Sequence, residues 1–413
     1  VRFAFVTTFF GPHRFGGDAA YVERLAAALV RRGHHVEVFW SHDAFETVRG
    51  RREPLPYAPP AGLVTHPLSS PWPLWSAIRV HQSGGLGPYR RTLGPRLMAG
   101  RFDVVHFHNV SLVGAAELLG LVVPGAVRLM TVHDHWLACP MSVRWRFDRE
   151  ACPAPTCIRC MVLAGRPPQW WRLGGGLARS FRSLDAAIFP SRQSLADHAA
   201  RGVTHPRATV LPYFVPDDWR VAAPPDGGRD RFLFVGRLVK EKGLQTLLPL
   251  FRDRPAVDLD VVGDGPFRGA LERSAAAVPN VRFHGALGAD AIRGYLARAR
   301  GLLVPSLFPE TLGYVVLEAW SQATPVLVSP AGALADLVAG GGGIVCPSAA
   351  SFAERMDQWI QRPEGAAEIG RLGWQRSAGE FAEDKHVAAY IDLVNGKHGW
   401  PEHTAEGGRG PRR

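Results

Sequence analysis

The chain lacks an apolar run long enough to cross a bilayer, which takes about 18 nearly uncharged residues. Its best candidate, Val110 to Val127, is interrupted by Ser111, Glu117 and Pro124 and reads instead as a buried helix followed by a strand. It also lacks acidic charge to match its basic charge. Of 413 residues, 48 are Lys or Arg and 37 are Asp or Glu, a formal net charge of +11. That excess favours polyanionic ligands or an anionic surface without choosing among nucleic acid, nucleoside diphosphates and acidic lipid. A secretory h-region and a small-residue cleavage site are absent as well, because the sequence shown opens directly on Val1-Arg-Phe-Ala-Phe-Val6. The expectation is therefore a cytoplasmic, reducing setting in which disulfides are not assumed. With 46% hydrophobic and 21% charged residues the chain is too apolar for disorder and has the length of two domains.

What is present is one pattern written twice. Arg2–Thr7 reads as a buried strand, followed by the loop Phe9 to Asp18 and a helix with apolar positions at Val22, Leu25, Ala26 and Leu29. That helix ends at Gly33, before a strand from His35 to Trp40. The second half repeats the pattern with strand Arg231–Val235, the loop Gly236 to Gly243, a Leu-rich helix from Leu244, and strand Asp258 to Val262. Strand and helix in alternation predict parallel sheets covered on both faces. Further strands fit Val104–Phe107, Val127 to Val132, Ala186–Phe189, Val281 to Phe283, Gly301 to Val304 and Pro325 to Val328. The expected division is 1–213 and 214–379, two similar α/β domains facing across a cleft, with residues 380–396 crossing back onto the first domain and 400–413 a solvated tail.

The segment Glu310-Thr-Leu-Gly-Tyr-Val-Val-Leu-Glu318 carries the most chemistry. Glu310 precedes a helical pattern whose free N–H groups, with Gly313 permitting close approach, suit a phosphate. Glu318, eight residues on, is expected on the same helix face about 12 Å away, so the pair would hold two ends of an extended ligand. Arg237 and Lys242, at the C-terminal edge of the first strand of that half, would neutralise a diphosphate without a metal. Read alone, a capping carboxylate and a solvated basic turn account for the same residues.

Taken together, Glu310-x7-Glu318, the Gly236-Arg237 to Lys242-Gly243 loop, Val262-Gly-Asp-Gly-Pro266 and Gly16-Gly17 before a helix ending in Arg32-Gly-His-His-Val36 resemble family 4 retaining glycosyltransferases of the GT-B fold. The resemblance runs from Phe3 to about Val394. It implies two Rossmann-like doubly wound domains and transfer of a sugar from a nucleoside diphosphate sugar to an acceptor such as a lipid-linked, cell-envelope or natural-product glycan. It further implies that Arg237, Lys242 and Gly236 hold the diphosphate and Glu318 the ribose. Glu310 with the backbone of Thr311, Leu312, Gly313 and Tyr314 would hold the donor sugar and distal phosphate. The segment around His284 would edge the base, Gly16 and Gly17 would approach the phosphates, and His133 would reach the sugar, with no metal needed for catalysis. The chain departs from the family at Ala323, at Asp336 and at Pro212-Tyr-Phe-Val. A nucleotide-sugar epimerase is the rival within the fold. A non-catalytic nucleotide-sugar or nucleic-acid binder is the rival outside it, and His13 would be the candidate base of an inverting enzyme.

Two features stand outside that pattern. Cys139, Cys152, Cys157 and Cys160 are clustered with spacings x12, x4 and x2, which suits a tetrahedral thiolate site, with zinc expected in a structural role. Free or redox-labile thiols, an iron–sulfur cluster and disulfides remain alternatives, and Cys346 stands apart. Trp72, Trp75, Tyr89-Arg-Arg91, Arg144-Trp-Arg146, Gln169-Trp-Trp-Arg172 and Arg179 interleave aromatic and basic residues, as at the inner face of an anionic membrane or around a lipid-linked acceptor. Nucleic-acid stacking and ordinary surface placement suit them too.

Overall fold

The computed structural model describes residues 1–14, 16–48, 54, 57–224 and 229–396. The tail 400–413 lies outside them. The first sheet holds β1 (Arg2–Thr7), β2 (His35–Ser41), β3 (Leu63–Leu68), β4 (Val104–Phe107), β5 (Val127–Thr131), β6 (Ala186–Phe189) and β7 (Ala208–Val210). The second holds β8 (Arg231–Val235), β9 (Leu259–Val262), β10 (Val281–Gly285), β11 (Ala299–Val304), β12 (Val326–Val328) and β13 (Gly343–Val345). All pairings in both are parallel.

Burial on both faces explains the near-continuous apolar strands. Along β1, Phe3 and Phe5 enter one core while Ala4 and Val6 enter another. In β8, Leu233 belongs to the core that holds Phe3, whereas Phe232 and Phe234 pack into a third. The core shared between the halves also takes Tyr213, Phe214 and Val215 of the connecting segment, and Tyr390 and Leu393 of the helix Glu383–Val394. That helix is tied to the first half by Arg31 and Arg32 at 2.7 and 2.8 Å from Glu383, by Tyr21 to His386 at 2.9 Å and by Tyr390 to His106 at 2.9 Å.

The strand orders are β3-β2-β1-β4-β5-β6-β7 and β10-β9-β8-β11-β12-β13. Each reverses direction once, between β1 and β4 and between β8 and β11. In doubly wound sheets the crevice beyond the carboxyl ends of the strands at that reversal is where ligands bind. The loops after β1, β4 and β5 and those after β8 and β11 are thereby brought to the same region.

Two local expectations need correction. The Leu-rich stretch from Leu244 is one 3-10 turn, Leu244–Thr246, and a five-residue helix, Leu248–Arg252. Pro249 has no N–H to continue a longer helix. Glu310 is not on a helix with Glu318. The helix is Tyr314–Ser321, and Gly313 precedes it in the left-handed region (φ 97°), so the chain turns between the two carboxylates.

Candidate functional site

The loop after β8 carries Lys242 beside Gly243, whose φ is +75°. A β-carbon at Gly243 would lie 1.9 Å from the Pro305 carbonyl oxygen, so only glycine lets this loop rest on the one after β11. Lys242 Nζ then donates to Glu310 Oε1 at 2.6 Å, and Ser306 Oγ donates to the same oxygen at 2.6 Å. The Glu310 backbone is fixed too, by a parallel bridge to Gly332 and by the Ala333 N–H on its carbonyl at 2.9 Å. Glu310 is only 8% exposed, while Arg237 on the same loop as Lys242 is exposed. Gly236 donates its N–H to Val262 at 3.0 Å, closing this loop onto β9.

The first half meets this loop at several points. Thr311 Oγ1 donates to the His133 carbonyl at 2.7 Å, His135 Nε2 lies 2.8 Å from the Pro309 carbonyl, and Ser191 Oγ donates to the Thr311 carbonyl at 2.6 Å. Leu312 is buried beside them. Gly16 and Gly17 begin the helix Gly16–Arg31, and a β-carbon at Gly17 would touch the Tyr314 side chain at 3.3 Å. Tyr314 donates its hydroxyl to the Phe214 carbonyl at 3.0 Å.

The side chain of His133 is enclosed. Its Nε2 is 3.0 Å from His108 Nδ1 and its Nδ1 is 2.7 Å from the Tyr213 hydroxyl. Burial pushes its pKa down to about 3, so it is neutral. His284 is likewise engaged, by Asp260 at 2.7 Å and Tyr295 at 3.1 Å. Its side chain therefore holds β10 to β9. His13 stacks on Trp40 at 4.9 Å and lies edge-on to Phe45 at 4.4 Å.

Several residues of the cleft escaped sequence reasoning because their partners are distant in the chain. Arg24 reaches across from the first helix to Glu318 at 2.7 Å, lying 3.9 Å over Trp219 and 4.8 Å over Tyr314. Asp18 accepts from Asn109 at 3.2 Å, and burial holds its carboxyl above the usual range, opposed in part by Arg237. Burial likewise pushes Asp134 up to about 7, against the N–H of Trp136 and with the Asp18 charge adding to it.

The remaining groups are dispersed. Arg90 is paired with Glu117 at 2.7 Å and Arg144 with Asp197 at 3.0 Å, so neither is a spare cation. Arg172 stacks on Trp136 and Trp171 at 4.7 and 5.1 Å beside a cavity of about 300 Å³ lined by Leu137, Met161, Trp170 and Leu177. Trp72, Trp75 and Trp170 are exposed, whereas Tyr89 is buried. Cys139, Cys152, Cys157 and Cys160 gather after His135, but no three of their sulfurs come within 4.8 Å of one another. Among the described residues, the set whose ligand atoms do so is His13, His42 and Glu46. No helix among the described residues is long and apolar enough to cross a membrane.

Two family models match the chain, one described as Glycosyltransferase Family 4 over residues 15–219 and one as Glycosyl transferases group 1 over residues 229–362. The D-inositol 3-phosphate glycosyltransferase of Arthrobacter sp. strain FB24 is 27% identical over 412 residues, spanning 91% of this chain and 92% of that protein. Sucrose-phosphate synthase from Thermosynechococcus elongatus superposes with a TM-score of 0.69 at 18% identity, over 96% of this chain and 98% of that one. The Anabaena protein HepE, solved with UDP and glucose, superposes with a TM-score of 0.68 at 16% identity, over 96% and 99%. At these identities the superpositions show a common fold.

Proposed function

The chain belongs to family 4 of the glycosyltransferases and has the two parallel-sheet domains of the GT-B fold, and from that premise we propose that it transfers a hexosyl group from a nucleoside diphosphate sugar to an acceptor hydroxyl with retention of configuration. The observation that carries this reading is the junction of Lys242, Glu310 and Ser306 at the reversal point of the second sheet. It sets a cation and a pinned carboxylate at the mouth of the helix Tyr314–Ser321.

Glycosyl transfer requires stabilisation of the departing diphosphate and tolerance of a cationic sugar. Arg237, Lys242 and the N–H groups at the start of the donor helix meet the first need by charge already in place. Binding exchanges the Lys242–Glu310 contact for phosphate, which leaves the Glu310 carboxylate and backbone to the sugar. Glu318 takes the ribose hydroxyls once Arg24 yields it. His133, neutral and with both ring nitrogens taken by His108 and Tyr213, does not reach the sugar as its place in the sequence suggested; it braces the wall of the site and exchanges no proton. In the retaining course the departing phosphate oxygen accepts the acceptor proton, so no dedicated base or metal enters the step.

The acceptor lies on the first half. The exposed Trp72, Trp75, Trp170 and Leu173, with the cavity beside Arg172, suit an acceptor carried on a lipid at an anionic membrane face. A thermal-shift panel of UDP, GDP and ADP sugars tests the donor reading. A true donor at 100 times its Kd stabilises the fold by about 2.7 kcal/mol, and no shift with any member would overturn it. The anomeric configuration of the product, read by NMR, tests retention.

A further inference from the structure

We infer that Cys139, Cys152, Cys157 and Cys160 bind one zinc ion as a tetrathiolate, clamping the loop that presents His133, Asp134 and His135 to the cleft. The four come from three short pieces of chain that the fold ties together. Cys139 donates its N–H to the His135 carbonyl at 2.7 Å, and Ser142 closes the turn with its N–H on the Cys139 carbonyl at 2.8 Å. A two-residue antiparallel ribbon, Trp145–Arg146 with Glu150–Ala151, returns the chain, and Cys152 donates to the Arg144 carbonyl at 2.8 Å. Cys157 and Cys160 then sit three residues apart, hence on one face, in the helix Cys157–Leu163.

The backbone around the cluster is shaped toward sulfur. Ser142, Arg144, Phe147 and Asp148 all adopt φ between 50° and 66°, an unusual density of left-handed non-glycine residues. Those turns aim N–H groups at sulfur. Phe147 donates to Cys160 Sγ at 3.5 Å, and the N–H groups of Met141 and Arg144 are directed at the Cys139 sulfur. Cys139 and Cys157 stand near Cys152 and Cys160. The guanidinium of Arg172 faces Cys139 and Cys157, and its Nη2 is buried without a hydrogen-bond partner in the structure.

Four thiols, converging N–H donors and an incompletely paired guanidinium are matched to thiolate around a divalent ion that prefers four sulfurs. Binding is balanced as four thiols plus Zn²⁺ giving a doubly negative tetrathiolate and four released protons, with Arg172 and the N–H donors offsetting the residual charge. Loading draws the sulfurs closer than their metal-free spacing, and His135, whose carbonyl holds Cys139, passes the constraint to Pro309 at 2.8 Å. The competing set, His13, His42 and Glu46, offers nitrogen and oxygen only.

The test is metal analysis of the full chain, followed by replacement of the metal with cobalt(II). The proposal predicts about one zinc per chain, a thiolate-to-cobalt charge-transfer band, loss of metal in the Cys157→Ser, Cys160→Ser double variant and its retention in His13→Ala, His42→Ala. Titrating the wild-type chain with a mercurial should release zinc in step with four thiols, which decides the matter if the cysteine variant does not fold. Zinc below a tenth of an equivalent would overturn the proposal. So would stoichiometric iron with sulfide, or metal lost from the histidine variant without a thiolate band.

Discussion

Replacing Arg24 with methionine removes a guanidinium placed 2.7 Å from Glu318 and 3.9 Å over Trp219 while keeping most of the side chain's bulk. Arg24 and Glu318 retain only 10% and 14% of their side-chain exposure, so this is nearly a buried pair. Breaking such a pair from one side costs about 3 to 5 kcal/mol, and the stack over Trp219 adds about 1 kcal/mol. Methionine restores part of the packing, so the expected loss is about 2 to 4 kcal/mol in denaturant unfolding. Activity should move the other way. Because Arg24 occupies the carboxylate that the ribose needs, Arg24→Met should lower the donor KM several-fold. Glu318→Gln should raise it by about tenfold or more, the worth of a hydrogen bond to a charged group. A double-mutant cycle on stability should show coupling of about 1 to 3 kcal/mol. If Arg24→Met raised the donor KM as much as Glu318→Gln does, the pair would act as one unit in the bound site, and the exchange described above would be wrong.

Other consequences follow from single contacts. Asp134, held up at about 7 chiefly by burial, is protonated in the fold more readily than in the unfolded chain, so its contribution to stability is present at low pH and fades as pH rises through about 7. At about 1.4 kcal/mol per unit over roughly three units, the ceiling is about 4 kcal/mol, and Asp134→Asn should abolish that part of the slope between pH 4 and 8. An unchanged slope would place the proton elsewhere. Gly243→Ala should destabilise by at least about 1 to 2 kcal/mol from the left-handed φ alone, with more from the clash with Pro305, and should depress turnover by displacing Lys242. Normal unfolding and turnover would contradict the packing argument. Co-sedimentation with anionic vesicles should fall on Trp72→Ala, Trp75→Ala, while an equal signal would remove the membrane from the reading of that face.

Much of the fold was legible because buried parallel strands write themselves as unbroken apolar runs. Arg231–Val235, Val104–Phe107 and Ala186–Phe189 occupy the residues their patterns predict. Spacing served less well where the chain turns. Counting from Glu310 to Glu318 put both on one helix, yet Gly313 turns the chain before Tyr314, and Glu310 is placed by Lys242, Ser306 and Gly332 instead. The basic charge was only half legible, since composition does not reveal that Arg90 and Arg144 are already paired while Arg237 is exposed. Arg24, Asp18 and His108 were silent because each gains its meaning from a residue dozens to hundreds of positions away.

Sugar transfer by this chain depends on the second sheet holding a nucleoside diphosphate sugar against Lys242 and Glu310. The direct measurement is release of nucleoside diphosphate from a panel of sugar donors by the wild-type chain, Lys242→Ala and Glu310→Ala, each checked for folding by circular dichroism. Release is expected with at least one donor, with a loss of about 10² or more in kcat/KM in both folded variants, the scale of removing one charge-stabilising group. Release within threefold of wild type in either variant, or none with any donor, would contradict this reading.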